Sequence, residues 1–70
     1  MISLKTALEL TQPNNDLIYL RRKNQIFRSE YEALTIEEVK EKYDIKKIKV
    51  IEIFPYFVDG EYDGLLFTII

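Results

Sequence analysis

The sequence lacks cysteine, histidine and tryptophan, and it contains only two glycines and two prolines. Without cysteine and histidine, a disulfide, a zinc finger, thiol chemistry and an imidazole acid–base catalyst are excluded. The longest uncharged apolar run, residues 65–70, is six residues long, whereas a membrane-spanning helix needs about 20. We therefore expect no membrane span. We also expect no signal peptide, because the N-terminus shows no basic segment followed by an apolar stretch.

The 70 residues carry 10 lysines and arginines against 12 acidic residues, a formal net charge of -2, and 47% are hydrophobic. A chain of this length forms a single domain, residues 1–70, with a small core and little room for an enclosed substrate pocket. The nearly balanced charge disfavours a generic polyanion binder, since such domains are strongly basic. The absence of cysteine favours a cytoplasmic protein.

Two short helices are predicted by capping signals. The first begins after Ser3, a favourable N-cap, and ends at residues 12–15, where proline and asparagine favour a turn. Its buried face is predicted from residues at helical spacing: Leu4, Ala7, Leu8 and Thr11. The second helix begins after Thr35, which forms a capping box with Glu38.

Four strands complete the predicted order α-β-β-α-β-β. Residues 16–22 and 25–31 indicate a hairpin with a turn at residues 23–24, and residues 46–54 and 65–70 indicate two further strands. The apolar pattern of the third strand shifts phase, which either a β-bulge or burial on both faces would explain. The order predicts an α+β two-layer sandwich: a four-stranded, mainly antiparallel sheet with both short helices on one face.

The segment between the last two strands is predicted to be a loop. Pro55 breaks the third strand, and the pairs Asp59-Gly60 and Asp63-Gly64 are turn signals. Three aromatic residues bracket this loop: Tyr56, Phe57 and Tyr62. Because a loop cannot bury all three, we predict that they bind a partner protein, although tyrosine is also an ordinary strand residue.

Self-association is predicted from the sheet itself. The strands carry large apolar residues on both faces, and two short helices can cover only one face. We therefore expect the uncovered face to bind a second copy or another protein. Self-association is predicted through this sheet face, with the outward side of residues 65–70 as its surface, or through an edge strand.

Basic residues suggest an alternative, a nucleic-acid-associated protein. They cluster near the tip of the predicted first hairpin: Arg21, Arg22, Lys23 and Arg28. Cationic side chains can bind phosphates, but successive strand residues point to opposite faces. The same residues could simply protect a strand edge from aggregation. A further alternative is an inhibitor that places the acidic residues of segment 30–44 in the nucleic-acid channel of a host enzyme.

No catalytic, cofactor or metal site is predicted. Residues 59–70 match only the start of a calcium-binding EF-hand loop, because the twelfth position is an isoleucine instead of a glutamate. Ser3 and Thr35 serve as helix caps, and no base accompanies Ser29 or Thr68. We therefore expect a protein that is not an enzyme.

Taken whole, the chain resembles the short accessory proteins of bacteriophages and prophages. Many of these begin with a brief leucine-rich helix like residues 3–10, followed by a strand such as 16–20, a turn and a second strand. A late isoleucine- and valine-rich strand like residues 48–53 comes next. The resemblance lies in layout and carries over no functional residue. It implies a small accessory protein, in keeping with a protein-interaction module.

Overall fold

The computed structural model describes residues 1–26 and 31–70, which form one mixed sheet and two helices. The elements in chain order are β1 (Ile2–Ser3), α1 (Leu4–Thr11), a 3₁₀ turn (Gln12–Asn14), β2 (Leu17–Arg22), α2 (Ile36–Lys42), β3 (Lys49–Val58) and β4 (Glu61–Ile69). The predicted α+β class, the four-stranded, mostly antiparallel sheet and the two helices are confirmed. No helix in the described residues is long and apolar enough to cross a membrane.

The sheet has the strand order β1-β3-β4-β2. The pairs β1–β3 and β3–β4 are antiparallel, whereas β2 runs parallel to β4, from Leu17 opposite Gly64 to Arg22 opposite Ile69. The central strands are therefore the last two in the sequence. The N-terminal residues 2–3 supply one of the four strands at the far edge.

The predicted hairpin between residues 16–22 and 25–31 differs from the structure. A turn does occupy residues 23–24, but β2 pairs with β4, and the described residues 25, 26 and 31 are not in a strand. Residues 27–30 lie outside the described residues. The pairing with β4 has a physical reason, because it places apolar residues of β2 beside apolar residues of β4 on both faces of the sheet. Among the described residues, the other edge of β2 forms a single antiparallel bridge, between Ile18 and Leu34.

Both helices begin as their capping signals predict. Ser3 Oγ accepts a hydrogen bond from the backbone N–H of Thr6 at 3.1 Å. At α2, the backbone N–H groups of Glu38 and Thr35 each donate to the other residue's side chain, at 3.2 and 3.0 Å. The buried face of α1 is the predicted one: Leu4, Ala7, Leu8 and Thr11.

The hydrophobic core lies between the two helices and one face of the sheet, which we call the helix face. Its buried members come from both helices, three strands and the segment before α2: Leu4, Ala7, Leu8, Ile18, Leu34, Ile36, Val39, Val50, Phe67 and Ile69. The opposite face, here called the rear face, carries the alternate strand residues, including Tyr19, Leu66 and Thr68.

A β-bulge in β3 explains the phase shift of its apolar pattern. The register shifts between Val50, which lies opposite Ile69, and Glu52, which lies opposite Thr68. The extra residue allows both Val50 and Ile53 to share the helix face. Of the two explanations that the sequence leaves open, the register shift supports the bulge.

The prediction of a loop between the last two strands is wrong, because residues 55–64 form the distal half of a long β-hairpin. β3 continues through Pro55 to Val58. Since β1 pairs only with Lys49 and Val50, the rest of β3 lies at the sheet edge, where the missing N–H of proline is tolerated. Asp59 and Gly60 form the tight turn, with φ angles of 52° and 81° that suit a two-residue hairpin loop.

The second predicted turn, at Asp63 and Gly64, is also wrong, since both residues lie within β4. Gly64 does not have a positive φ angle. It is required instead by close packing. A Cβ atom at this position would lie 2.3 Å from the carbonyl oxygen of Leu17 and 3.1 Å from the ring of Tyr19.

Candidate functional site

The distal half of the β3–β4 hairpin concentrates exposed apolar side chains. Among the described residues, nine large hydrophobic residues are exposed, and five belong to this hairpin: Ile53, Phe54, Phe57, Val58 and Tyr62. The other four are scattered over the rest of the chain: Met1, Leu10, Ile26 and Ile70. Single exposed apolar residues are normal on protein surfaces, whereas a contiguous group marks an interaction site.

The strand register assigns part of this group to the helix face. Phe57 lies opposite Tyr62, and Pro55 lies opposite Leu65. The rings of Phe57 and Tyr62 meet edge to face, with centroids 6.0 Å apart. Phe57 is 56% exposed and Tyr62 50%, so the helices leave this end of the sheet uncovered. We call it the distal patch, defined by Ile53, Pro55, Phe57, Tyr62 and Leu65.

Tyr56 lies apart from the other two predicted contact residues. It pairs with Gly64 on the rear face, and its ring centroid lies 4.2 Å from that of Tyr19 and 5.8 Å from that of Tyr31. Strand alternation places it on the face opposite Phe57. Tyr56 is therefore half-buried in an aromatic cluster that supports the hairpin from behind.

Carboxylates lie around the distal end of the hairpin, on both faces of the sheet. Asp59 and Glu61 are exposed at the hairpin turn, and Asp63 accepts a hydrogen bond from the Tyr19 hydroxyl. On the other side, the pKa of Tyr62 is raised by partial burial and then by the nearby carboxylate of Asp16. No group of three acidic residues in the described part of the chain could hold a metal ion.

The predicted basic cluster does not form one surface. Arg21 is buried on the rear face, where its guanidinium donates to the carbonyl of Gln25 at 2.7 Å and lies 4.0 Å from the Glu52 carboxylate. Arg22 and Lys23 are exposed at the end of β2. Arg28 lies outside the described residues. Arg21 therefore stabilises the fold and is not available to bind a phosphate.

The outward side of residues 65–70, predicted as the self-association surface, is buried within the chain except at the exposed Ile70. On the rear face of β4, Leu66 is 5% exposed and Thr68 0%. Thr68 lies between Arg21 on β2 and Glu52 on β3 in the strand register. The second apolar face that the sequence shows is thus largely filled by this chain's own side chains.

Replacing Thr68 with valine tests this packing. The Thr68 hydroxyl is buried and has no hydrogen-bond partner among the described residues. Because an unpaired buried hydroxyl is unfavourable, Thr68→Val should leave the free energy of unfolding unchanged or raise it by up to about 1 kcal/mol. Urea unfolding measures the effect. A loss of more than about 1 kcal/mol would show that the hydroxyl is paired in solution.

Tyr19 should make the fold sensitive to alkaline pH. Burial and then the hydrogen bond to Asp63 raise its pKa from 10.0 to about 12. Its stabilising contribution is therefore complete below pH 10.0 and is lost as pH rises through about 12. We expect urea midpoints to fall over this range, and to fall less in Tyr19→Phe than in the control Tyr43→Phe. Parallel pH profiles for the two variants would contradict the assignment.

No protein-family model matches the sequence, and no curated protein or solved structure gives a significant match. The geometry of the distal patch is therefore the main basis for assigning a function.

Proposed function

We propose that the protein is a small, non-enzymatic protein-interaction module and that the distal patch is its contact surface. The observation that carries the proposal is the exposure of an edge-to-face pair, Phe57 and Tyr62, within a group of exposed apolar residues. Exposed aromatic residues at the centre of an apolar patch are typical of the residues that dominate binding energy at protein interfaces. Tyr56 acts in this proposal as a support for the patch.

We propose that the protein is a cytoplasmic accessory protein of a phage or mobile element. The leucine-rich helix of residues 3–10 and the late isoleucine- and valine-rich strand of residues 48–53 support it. A protein of this size acts by occupying a surface of another macromolecule, since its small core leaves little room for a substrate cavity.

We propose that two copies of the protein associate through the outer edge of β3. β1 covers only Lys49 and Val50, so residues 51–58 present a strand edge that an extended segment can join. Pro55 has no N–H group and shortens the usable edge. Light scattering coupled to size exclusion across a concentration series tests this proposal. A strict monomer at every concentration would rule it out.

The nucleic-acid alternative depends on Arg22, Lys23 and Arg28, since Arg21 is buried. Each phosphate contact steepens the dependence of affinity on salt, so absence of binding at low salt would exclude this function. The host-enzyme inhibitor alternative uses exposed acids on and near α2, such as Glu37 and Glu41. It predicts a salt-sensitive complex that is weakened when these two residues are neutralised.

Site-specific photo-crosslinking tests the proposed function. A photoreactive amino acid is placed at position 57 and, as a matched control, at position 10, where Leu10 is 67% exposed on α1. In the cells from which the protein comes, we expect an adduct of defined mass from position 57 and none from position 10. Equal adducts from both positions, or none from position 57, would contradict the proposal.

A further inference from the structure

We infer that the partner of the distal patch is a basic protein segment, in which lysine or arginine side chains flank apolar ones. This inference rests on the proposed function, because it names the chemistry of the partner that the distal patch binds. It follows from how charge is distributed around the exposed apolar residues.

Charge is divided unevenly along the chain. Residues 50–70 contain four acidic residues and no lysine or arginine, a net charge of -4. Residues 1–49 contain ten basic and eight acidic residues, a net charge of +2. The hairpin that carries the distal patch is therefore negative, although the chain as a whole is close to balanced.

The acidic residues nearest the hairpin turn form no ion pair with the part of the chain that the structure describes. Asp59 and Glu61 are exposed, and neither belongs to an ion pair among the described residues. Asp59 lies in the turn and Glu61 directly follows it, close to the pair Phe57 and Tyr62. On the opposite side, Asp16 interacts with Tyr62. The apolar patch thus has carboxylates near its margin, and residues 50–70 supply no cation.

A basic segment complements both parts of this surface. Lysine and arginine lay their aliphatic stems on apolar surface while the charged heads remain near water and carboxylates. A cationic head can also lie over the face of Phe57 or Tyr62. Charged groups at the margin of an interface mainly set the rate of encounter and the choice of partner.

Other occupants of the distal patch are disfavoured by the same charges. Nucleic acids and anionic lipid surfaces would be repelled by Asp59 and Glu61. A second copy docked patch to patch would bring two acidic margins together, and like charges facing each other across an interface are unfavourable.

Selection from a random peptide library displayed on phage tests the inference without a known partner. The intact protein is the bait, and the variant Phe57→Ser is used to remove peptides that bind elsewhere. We expect the enriched peptides to combine lysine or arginine with apolar residues. The inference is overturned if no peptide depends on Phe57, or if the dependent peptides carry no excess of basic residues.

Charge-neutralising variants measure how much the carboxylates contribute to the affinity for the most strongly enriched peptide. We expect Asp59→Asn with Glu61→Gln to weaken its binding by about three- to tenfold, and binding to weaken as sodium chloride is raised. The matched control removes two exposed charges elsewhere, Glu9→Gln with Glu41→Gln, and should leave affinity unchanged.

Two outcomes separate this inference from the proposed function. If Phe57→Ser abolishes binding while neutralising Asp59 and Glu61 has no effect, the distal patch is still supported as the contact surface. The inference that its partner is a basic segment is then wrong. If the crosslinking at position 57 fails, the proposed function itself is wrong. A dimer that Phe57→Ser dissociates would show that a second copy occupies the patch.

Discussion

Replacing Gly64 with alanine should destabilise the protein by about 3 kcal/mol, because the new methyl group has no space. The added Cβ atom would lie 2.3 Å from the carbonyl oxygen of Leu17, a backbone atom that cannot move without displacing β2. It would also meet the ring of Tyr19 at 3.1 Å. The parallel pairing of β2 with β4 and the aromatic cluster behind the hairpin would both be disturbed.

Gly60→Ala is the matched control for this prediction. At Gly60 nothing lies within 4 Å of the added atom, but φ is +81°, a conformation that alanine adopts with strain. We expect Gly60→Ala to lower the free energy of unfolding by only about 1 kcal/mol. Urea unfolding of both variants decides the matter. If Gly64→Ala loses no more stability than Gly60→Ala, the close approach of β2 and β4 is wrong.

Loss of partner binding is the second large effect that we expect. The double variant Phe57→Ala with Tyr62→Ala should weaken the partner captured at position 57 by about 100-fold or more, since central aromatic residues dominate interface energies. Because both side chains are half exposed, the free energy of unfolding should change by no more than about 1 kcal/mol. Isothermal titration calorimetry measures the first quantity and urea unfolding the second.

Leu10→Ala is the control for that variant, since it removes an exposed apolar side chain from α1 and should leave affinity unchanged. Tyr56→Ala tests whether Tyr56 supports the distal patch from behind instead of contacting the partner. It disrupts ring contacts with Tyr19 and Tyr31 and should lower stability as well as affinity. Unchanged affinity in the Phe57 and Tyr62 double variant would show that the distal patch is not the contact surface.

Local signals predicted both helices, because the interactions that start a helix join residues close in sequence. The Ser3 cap and the Thr35–Glu38 capping box involve neighbours three residues apart. The phase shift near Ile51 indicated an irregularity, since a bulge changes strand alternation within a few residues, but the sequence left burial on both faces as an equal explanation.

Pairing between strands that are distant in sequence could not be predicted from such local signals. The sequence pattern predicts that the strand after α1 pairs with the segment that follows it, but residues 17–22 pair with β4, more than 40 positions later along the chain. Pro55 predicts the end of β3, whereas β3 continues through it because β1 is too short to reach that part of the edge. The turn at Asp59 and Gly60 contained a usable signal. Extending both strands evenly from it pairs Phe57 with Tyr62.

Mapping the contact surface by nuclear magnetic resonance tests the central claim most directly. Backbone amide spectra of the isotope-labelled protein are recorded alone and with a saturating amount of the partner captured at position 57. We expect the largest shift changes to fall within residues 53–65 and α2, residues 36–42, to be unaffected. Largest changes on α2 or at residues 22–26, with the hairpin unchanged, would contradict it.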